Sequence, residues 1–502
     1  MGKIIELPII IGGEKIFPSS DREYYTIYYD SGVQVKIPKL MKKDIETIRK
    51  SNKYTLHDYH SQEIIAFFSK VGKFWMSENC MHPLYNQALE YLCYINGYDR
   101  KMAMRELNII SSTCSLQTGI HDLIDLELGD RFYLEEWVPR GDALVHVQPL
   151  GNVLNIMVGN VPVSGIMTIL RGSITKNQTL AKLPKRDPIT VLYFVLSMIE
   201  IDPNHPVSKS MNVFYWPGGD EIEDEMIDLA DVICVWGGEK AVRSIRSKVK
   251  KNINIIEFGP KISYAVVGKE SATSQKVAID LAHDIALYNQ EACFSPQIAF
   301  VEGDYKTFIQ LLAKGLELYK TLFPKGKELP DVHAHVSRTR LEGLYNQSEV
   351  MCTEDTEWTI IVIKDPSEIN EHPLSRVIFI VPVENIKECI KYIDESIQTI
   401  AISPWDRNVE IRELATLKGA AKLTEIGLIE AMRNGSTHDN IYPIQHLVRW
   451  VSVERGCDYW GKYIEEGPLD TTKWLMMNAQ QLENIDCKSL LNKKNPNVKH
   501  YK

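Results

Sequence analysis

The sequence predicts an α/β protein, and three observations carry that prediction. Short apolar runs ending in glycine or proline recur from residue 153 onward, helical patterns lie between them, and the series occurs twice. Strand, turn, helix, strand in repetition argues for a parallel sheet with both faces covered, whose strands read as continuous apolar runs. Before residue 135, short strands mix with helical patterns, and apolar residues three and four apart mark helices over Lys43–Arg49 and Gln62–Trp75. The first run is Val153–Val158; the longer stretch to Leu170 reads as strand, loop and helix. Thr179–Leu183 is the second run, followed by a helix through Ile201. Asn212–Trp216 ends at Pro217-Gly218-Gly219, Val232–Trp236 ends at Gly237-Gly238, and Ile253–Phe258 is the fifth. Glu221–Leu229 and Lys240–Val249 are helical between them. In the second series Ser274–Leu287, Tyr305–Leu322, Val383–Ile393 and Val409–Ala421 read as helices. Gln297–Val301, Arg376–Val381 and Thr399–Ser403 read as strands.

Bulk properties narrow the function classes. A chain of 502 residues suggests two or three packed units. The formal net charge is −9 and the basic residues are dispersed, so no basic stripe for nucleic acid is present. Nine cysteines, widely spaced and without a Cys-x-x-Cys pair, fit reduced thiols and a cytoplasmic location. The N-terminus lacks a basic start before a long apolar core, so no signal peptide is expected. The most apolar segment, Val153–Leu170, contains Asn155, Asn160 and Pro162, so no membrane span is expected.

The richest stretch for chemistry is Asn289-Gln290-Glu291-Ala292-Cys293-Phe294-Ser295, where a helical pattern breaks at a cysteine. A thiolate attacks carbonyl carbon and holds an acyl group as a thioester. Glu257, in Glu257-Phe258-Gly259-Pro260-Lys261, is a carboxylate that could move the proton. Asp331-Val332-His333-Ala334-His335 alternates histidines that a strand would set on one face. No third ligand lies nearby in sequence, so an exposed loop and no metal are expected. His438 and Asp439, in a loop after a helix, are candidates for a substrate entrance.

Several motifs in order resemble the aldehyde dehydrogenase superfamily over roughly 130–455. They are Gly159-Asn160-Val161-Pro162, Lys182 with Pro184, Trp216-Pro217-Gly218-Gly219, Trp236-Gly237-Gly238-Glu239, Glu257–Lys261 and Glu291-Ala292-Cys293. Nearly the whole chain resembles one branch, the thioester reductases of the bacterial luminescence fatty acid reductase complex. That resemblance implies a Rossmann-like cofactor domain (1–131 and 150–258), a catalytic domain (259–445), an oligomerisation element (132–149 and 446–480) and a tail (481–502). It implies NADPH as cofactor, an acyl-CoA or acyl-protein substrate, a separate fatty acyl-activating synthetase as donor, and a homo-oligomer.

The same resemblance distributes roles. Cys293 is the nucleophile, and Asn160 donates to the oxyanion. Glu257 acts as base or proton donor. Lys182, Lys185 and Arg186 lie at the adenosine ribose, where positive charge suits a 2′-phosphate. Gly218, Gly237, Gly238 and Glu239 lie along the pyrophosphate path. The superfamily segment that grips the nicotinamide ribose is replaced here by Glu371-His372-Pro373-Leu374-Ser375-Arg376, so that role is not carried over. Two other readings stand beside reduction: an NAD-dependent aldehyde-oxidising dehydrogenase, favoured by Glu257, and a silent scaffold for an acyl-activating partner.

Overall fold

In a computed structural model, residues 3–76, 82–141, 143–161, 163–249, 252–431 and 433–454 are described. The N-terminal part supplies short strands β1 (Ile4–Glu6), β2 (Ile9–Ile11), β3 (Glu14–Ile16), β4 (Tyr24–Tyr28) and β5 (Gln34–Pro38). Five helices follow: α1 (Lys42–Lys50), α2 (Ser61–Phe74), α3 (Pro83–Asn96), α4 (Arg100–Cys114) and α5 (Gln117–Leu128). Their ends are written locally. Asp99 caps α4 by accepting from the Lys101 N–H, and α3 stops at Gly97, whose left-handed φ of 68° suits a residue without Cβ. Strands β6 (Val138–Arg140) and β7 (Ala143–Pro149) come next.

The first α/β series is β8 (Asn152–Ile156), α6 (Val163–Ile174), β9 (Gln178–Lys182), α7 (Thr190–Ile201), α8 (Pro206–Lys209), β10 (Met211–Phe214), α9 (Ile222–Leu229), β11 (Val232–Trp236), α10 (Glu239–Lys248) and β12 (Asn254–Phe258). These strands join β2 and β3 in a seven-stranded sheet of order β12-β11-β8-β9-β10-β2-β3. The five strands from β12 to β10 run parallel. The chain lays down β8, moves outward through β9 and β10, then returns to place β11 on the other side. Connections therefore diverge between β8 and β11, and a crevice opens at the C-terminal ends of these strands.

The second series is β13 (Ile262–Val267), α11 (Gln275–Ala286), β14 (Pro296–Glu302), α12 (Tyr305–Leu322), α13 (Pro330–Tyr345), β15 (Glu349–Cys352), β16 (Thr359–Val362), β17 (Val377–Val383), β18 (Ile397–Ser403), α14 (Arg412–Leu417) and β19 (Lys422–Glu425). Its sheet has the order β15-β16-β17-β14-β13-β18-β19, parallel except for β15. Alternate strand residues feed cores on its two faces. Ala265, Val267, Ala299 and Ile378 pack with Leu281 and Phe308 on one side. Tyr264, Val266, Phe300 and Ile400 pack with Ile386 and Ile411 on the other. Burying each large side chain contributes about 1.5–3 kcal/mol.

Among the described residues, contacts group both large sheets in one unit, from residue 3 to 131 and from 148 to 449, and group 132–147 with 450–454 in a second. In the second, β6 pairs antiparallel with β7, and β20 (Val448–Glu454) completes a sheet of order β20-β7-β6. The expected C-terminal tail, and the expected oligomerisation element beyond residue 454, lie outside the described residues.

Three sequence expectations change. Residues 331–335 are neither loop nor strand but the start of α13, which opens with Pro330 in its first turn. Residues two apart on a helix point to different faces, so His333 and His335 do not converge. Val383–Ile393 tightens to a 3-10 helix, Ile386–Tyr392, which Asn385 and Glu388 start with a reciprocal capping box. Val409–Ala421 divides into a 3-10 turn, Trp405–Glu410, and the short α14. Among the described residues no helix is long and apolar enough to cross a membrane.

Candidate active site

The site is built around a loop held against its own backbone preference. After α11 the chain turns through Tyr288, Asn289 and Gln290, all with positive φ (51°, 49° and 67°). Each such non-glycine residue costs about 1–2 kcal/mol. Polar side chains offset that cost. Gln290 is fully buried, and its Nε2 donates to the carbonyls of Pro296 (2.8 Å) and Val377 (2.7 Å). Its Oε1 accepts the Val377 N–H at 2.9 Å. Asn289 Nδ2 donates to the Lys325 carbonyl at 3.1 Å. Asn289 Oδ1 accepts from Arg376 Nη2 at 2.8 Å, and the same guanidinium donates to the Phe323 carbonyl at 2.7 Å. Arg376 is 1% exposed, and burial lowers its pKa to about 10. Leu374, Ser375 and Arg376 are left-handed too, and the Ser375 N–H meets the Asn289 carbonyl at 3.0 Å. Two left-handed turns thus brace one another.

The braced loop carries Cys293 to a cavity of about 420 Å³, where the half-buried side chain forms part of the wall. The Cys293 carbonyl accepts from Ser263 Oγ at 2.8 Å, fixing the residue to β13. Burial first, and the nearby Asp439 charge second, push the thiol up to about 11; hydrogen bonding from Gln398 acts in the opposite direction. The cavity is also lined by Gly159 and Asn160 after β8, Gly237 and Gly238 after β11, and Phe258 to Lys261 after β12. It therefore sits at the divergence between β8 and β11. A second cavity, about 640 Å³, shares Val163, Met167, Arg171, Phe294, His438 and Asp439 with the first. Its further wall combines Ile109, Leu123 and Ile429 with Arg105, Lys422 and Glu430.

Asn160 reaches the nucleophile loop directly: its Nδ2 donates to the Glu291 carbonyl at 2.9 Å. A Cβ on the neighbouring Gly159 would lie 2.7 Å from the Asp187 nitrogen, so this approach requires glycine. Arg186, exposed at the cavity wall, pairs with the Glu291 carboxylate. Glu257 does not join them. Its carboxylate takes two hydrogen bonds from Arg246 of α10, at 2.9 and 2.6 Å, and it does not line either cavity. Strand period explains this. Phe258 faces the cavity and stacks on Trp236 at 3.9 Å, so the preceding residue faces the opposite side of the sheet.

The remaining cofactor candidates lie along the same strand ends. Lys182 closes β9 in register with Ile156 and Phe214, half-buried, its pKa lowered by burial. The Lys185 side chain is exposed. Gly218 is in the turn after β10, and Gly238 caps α10. A Cβ at either glycine would meet no atom of the described residues within 4 Å, which leaves space beside these backbones. Glu239 is exposed and paired with Arg243. Open backbone at a helix N-terminus, with lysines at the same edge of the sheet, is a donor set that fits an anionic dinucleotide.

Several contributors had little signal in sequence. Gln398 interrupts the apolar run of β18, and a polar residue inside a buried strand was the available hint. Leu374 lines the Cys293 cavity from the segment that departs from the superfamily pattern. Among the described residues no group of three or more His, Cys, Asp or Glu side chains is arranged to hold a metal. His333 instead pairs with Thr356 Oγ1 at 3.1 Å.

Comparison with known proteins is consistent across sequence and fold. Residues 56–450 match the family described as acyl-CoA reductase (LuxC). The chain is 33% identical over 457 residues to the long-chain acyl-protein thioester reductase of Vibrio harveyi, covering 89% of this chain and 93% of the relative. It is 33% identical over 464 residues to that of Photobacterium phosphoreum, with coverages of 91% and 93%. Among solved structures, lactaldehyde dehydrogenase from Escherichia coli superposes with a TM-score of 0.68 at 15% identity, covering 90% and 99% of the two chains. The NADP-dependent glyceraldehyde-3-phosphate dehydrogenase of Bacillus halodurans C-125, complexed with NADP, gives 0.66 at 18%, covering 90% and 100%. The fold is that of the aldehyde dehydrogenases.

Proposed function

This chain belongs to the acyl-CoA reductase (LuxC) family of oxidoreductases, and from that premise we propose that it reduces long-chain acyl thioesters to aldehydes through an acyl-Cys293 intermediate. The observation that carries this reading is the placement of Cys293 on a braced loop beside two adjoining cavities, one of them at the divergent strand ends. In the first half-reaction the Cys293 sulfur attacks the thioester carbonyl and the donor thiol leaves. The second Nδ2 hydrogen of Asn160, beyond the one given to Glu291, donates to the oxyanion. When bound, a reduced nicotinamide supplies the hydride that releases aldehyde.

The reading favours reduction over oxidation because Glu257, engaged with Arg246, is turned from the cavity where it would activate water. NADPH is the proposed cofactor on the strength of the exposed Lys185, suited to a 2′-phosphate. Arg186 contributes less, since Glu291 already holds its guanidinium. The acyl donor is acyl-CoA or an acylated activating enzyme, the aldehyde formed by reduction serves luminescence, and the chain acts as a cytoplasmic homo-oligomer.

Intact-mass measurement after addition of dodecanoyl-CoA tests the proposal. The expected result is one acyl adduct, absent in Cys293→Ser, that NADPH discharges as dodecanal faster than NADH does. An adduct of equal yield on Cys293→Ser would refute it.

A further inference from the structure

The two cavities share His438 and Asp439, from a short turn, 438–441, that the activity above does not use. His438 and Ile441 exchange backbone hydrogen bonds at 2.9 and 3.1 Å, and Asp439 and Asn440 between them are left-handed (φ 47° and 70°). His438 lines both cavities. Trp236 and Phe258 hold that ring edge-on, with centroids 5.1 and 4.8 Å away. Its Nε2 is buried and has no hydrogen-bond partner among the described residues. Asp439 Oδ1 accepts from Gln398 Nε2 at 2.9 Å, and both Asp439 and Gln398 act electrostatically on the Cys293 thiol. An imidazole in the wall of the cavity that holds the nucleophile, followed in sequence by a carboxylate that acts on both, is an arrangement that proton transfer can use.

We propose that His438, supported by Asp439 and Gln398, is the acid–base group for acyl transfer to Cys293. The inference rests on the assignment of Cys293 as nucleophile. As the Cys293 sulfur bonds to the acyl carbon, its proton passes to the imidazole. The donor C–S bond then breaks, and the leaving thiolate takes that proton. The balance is acyl-SR plus Cys293-SH giving acyl-S-Cys293 plus RSH, with no other reactant. The resting pair is thiol and neutral imidazole. Burial holds the His438 pKa well below the ordinary imidazole value; Asp439 opposes this, and Arg171 and Lys422 act in the same direction as burial. The proton therefore moves during attack, not before it.

Single-turnover acylation by dodecanoyl-CoA and alkylation by iodoacetamide, each followed by intact mass from pH 6 to 9, test this. Wild type is expected to show a rate nearly independent of pH, because neutral imidazole is present throughout. His438→Gln is expected to be about 10²-fold slower at pH 7 and to climb tenfold per pH unit as free thiolate forms. Asp439→Asn should be slowed less and keep the flat profile, which separates proton transfer from a folding defect. A His438→Gln variant with wild-type rate and profile overturns the proposal. So does a wild-type rate that already climbs tenfold per unit. Failure of wild type to form the acyl adduct at all overturns the assignment of Cys293 instead, and the alkylation profile still reads His438.

Discussion

The loop 287–295 and strand β12 each carry a residue that sequence motifs mark for chemistry, and they hold it in opposite ways. Around Cys293 the backbone is forced into three consecutive left-handed residues and secured by Asn289, Gln290 and Arg376. Around Glu257 the backbone is an ordinary parallel strand in register with β11, Val235 opposite Glu257 and Trp236 opposite Phe258. A loop can aim a side chain anywhere that strain and bracing allow. A strand aims by parity alone, so giving Phe258 to the cavity gives Glu257 to Arg246 on the other face.

Removing the aimed sulfur should have the largest effect. Cys293→Ser is expected to lower acyl transfer by about 10³-fold or more, since the hydroxyl lacks thiolate nucleophilicity. Retained transfer would break the comparison at once. Asn160→Ala comes next, with an expected loss of about 10²–10³ in single-turnover rate. Its effect should fall on the rate and not on retention of acyl-CoA, because the oxyanion develops in the transition state. Arg376→Met tests the brace itself. It leaves Asn289 Oδ1 and the Phe323 carbonyl without their buried donor, at about 1–3 kcal/mol for a group so orphaned. A lower urea midpoint together with slower acylation would tie strain to aim. A lower midpoint with unchanged acylation would make Arg376 a purely structural residue.

The same contrast explains what the sequence made legible. Parallel strands declared themselves because both faces are buried: Val153, Leu154 and Ile156 of β8 and all five residues of β11 leave no polar alternation. The helix Tyr305–Leu322 was equally readable, with Phe308, Ile309, Leu312 and Leu316 on one stripe. The helix α13 was not, because its buried residues are Val336, Thr339 and Gly343 while Leu341, Leu344 and Tyr345 are exposed, so its apolar residues do not mark the buried face. The left-handed turns were hidden for a related reason. Tyr288–Gln290 and Leu374–Arg376 contain no glycine, the residue that ordinarily advertises positive φ. Their conformation comes from contacts 87 residues apart along the chain, such as Gln290 with Val377. Motif order located Cys293 and Asn160 in one cavity, but no motif states which way a strand residue points.

Glu257→Gln is the smallest expected effect and the sharpest test of that last point. The Glu257 side chain is 23% exposed and its partner Arg246 is 67% exposed. Such a solvent-screened pair is worth about 0–1 kcal/mol, and a glutamine still accepts from the guanidinium. Acylation and aldehyde release should therefore stay within about fivefold of wild type, the rate equivalent of ~1 kcal/mol. A residue moving the proton in either half-reaction would cost about 10²–10⁴ when neutralised. Measuring both half-reactions separately distinguishes these cases, because a base for thiol activation slows the first and a proton donor to the product slows the second. A hundredfold loss in either, at an unchanged melting temperature, would mean that the end of β12 turns its carboxylate inward when the site is loaded, and strand parity would no longer decide the aim.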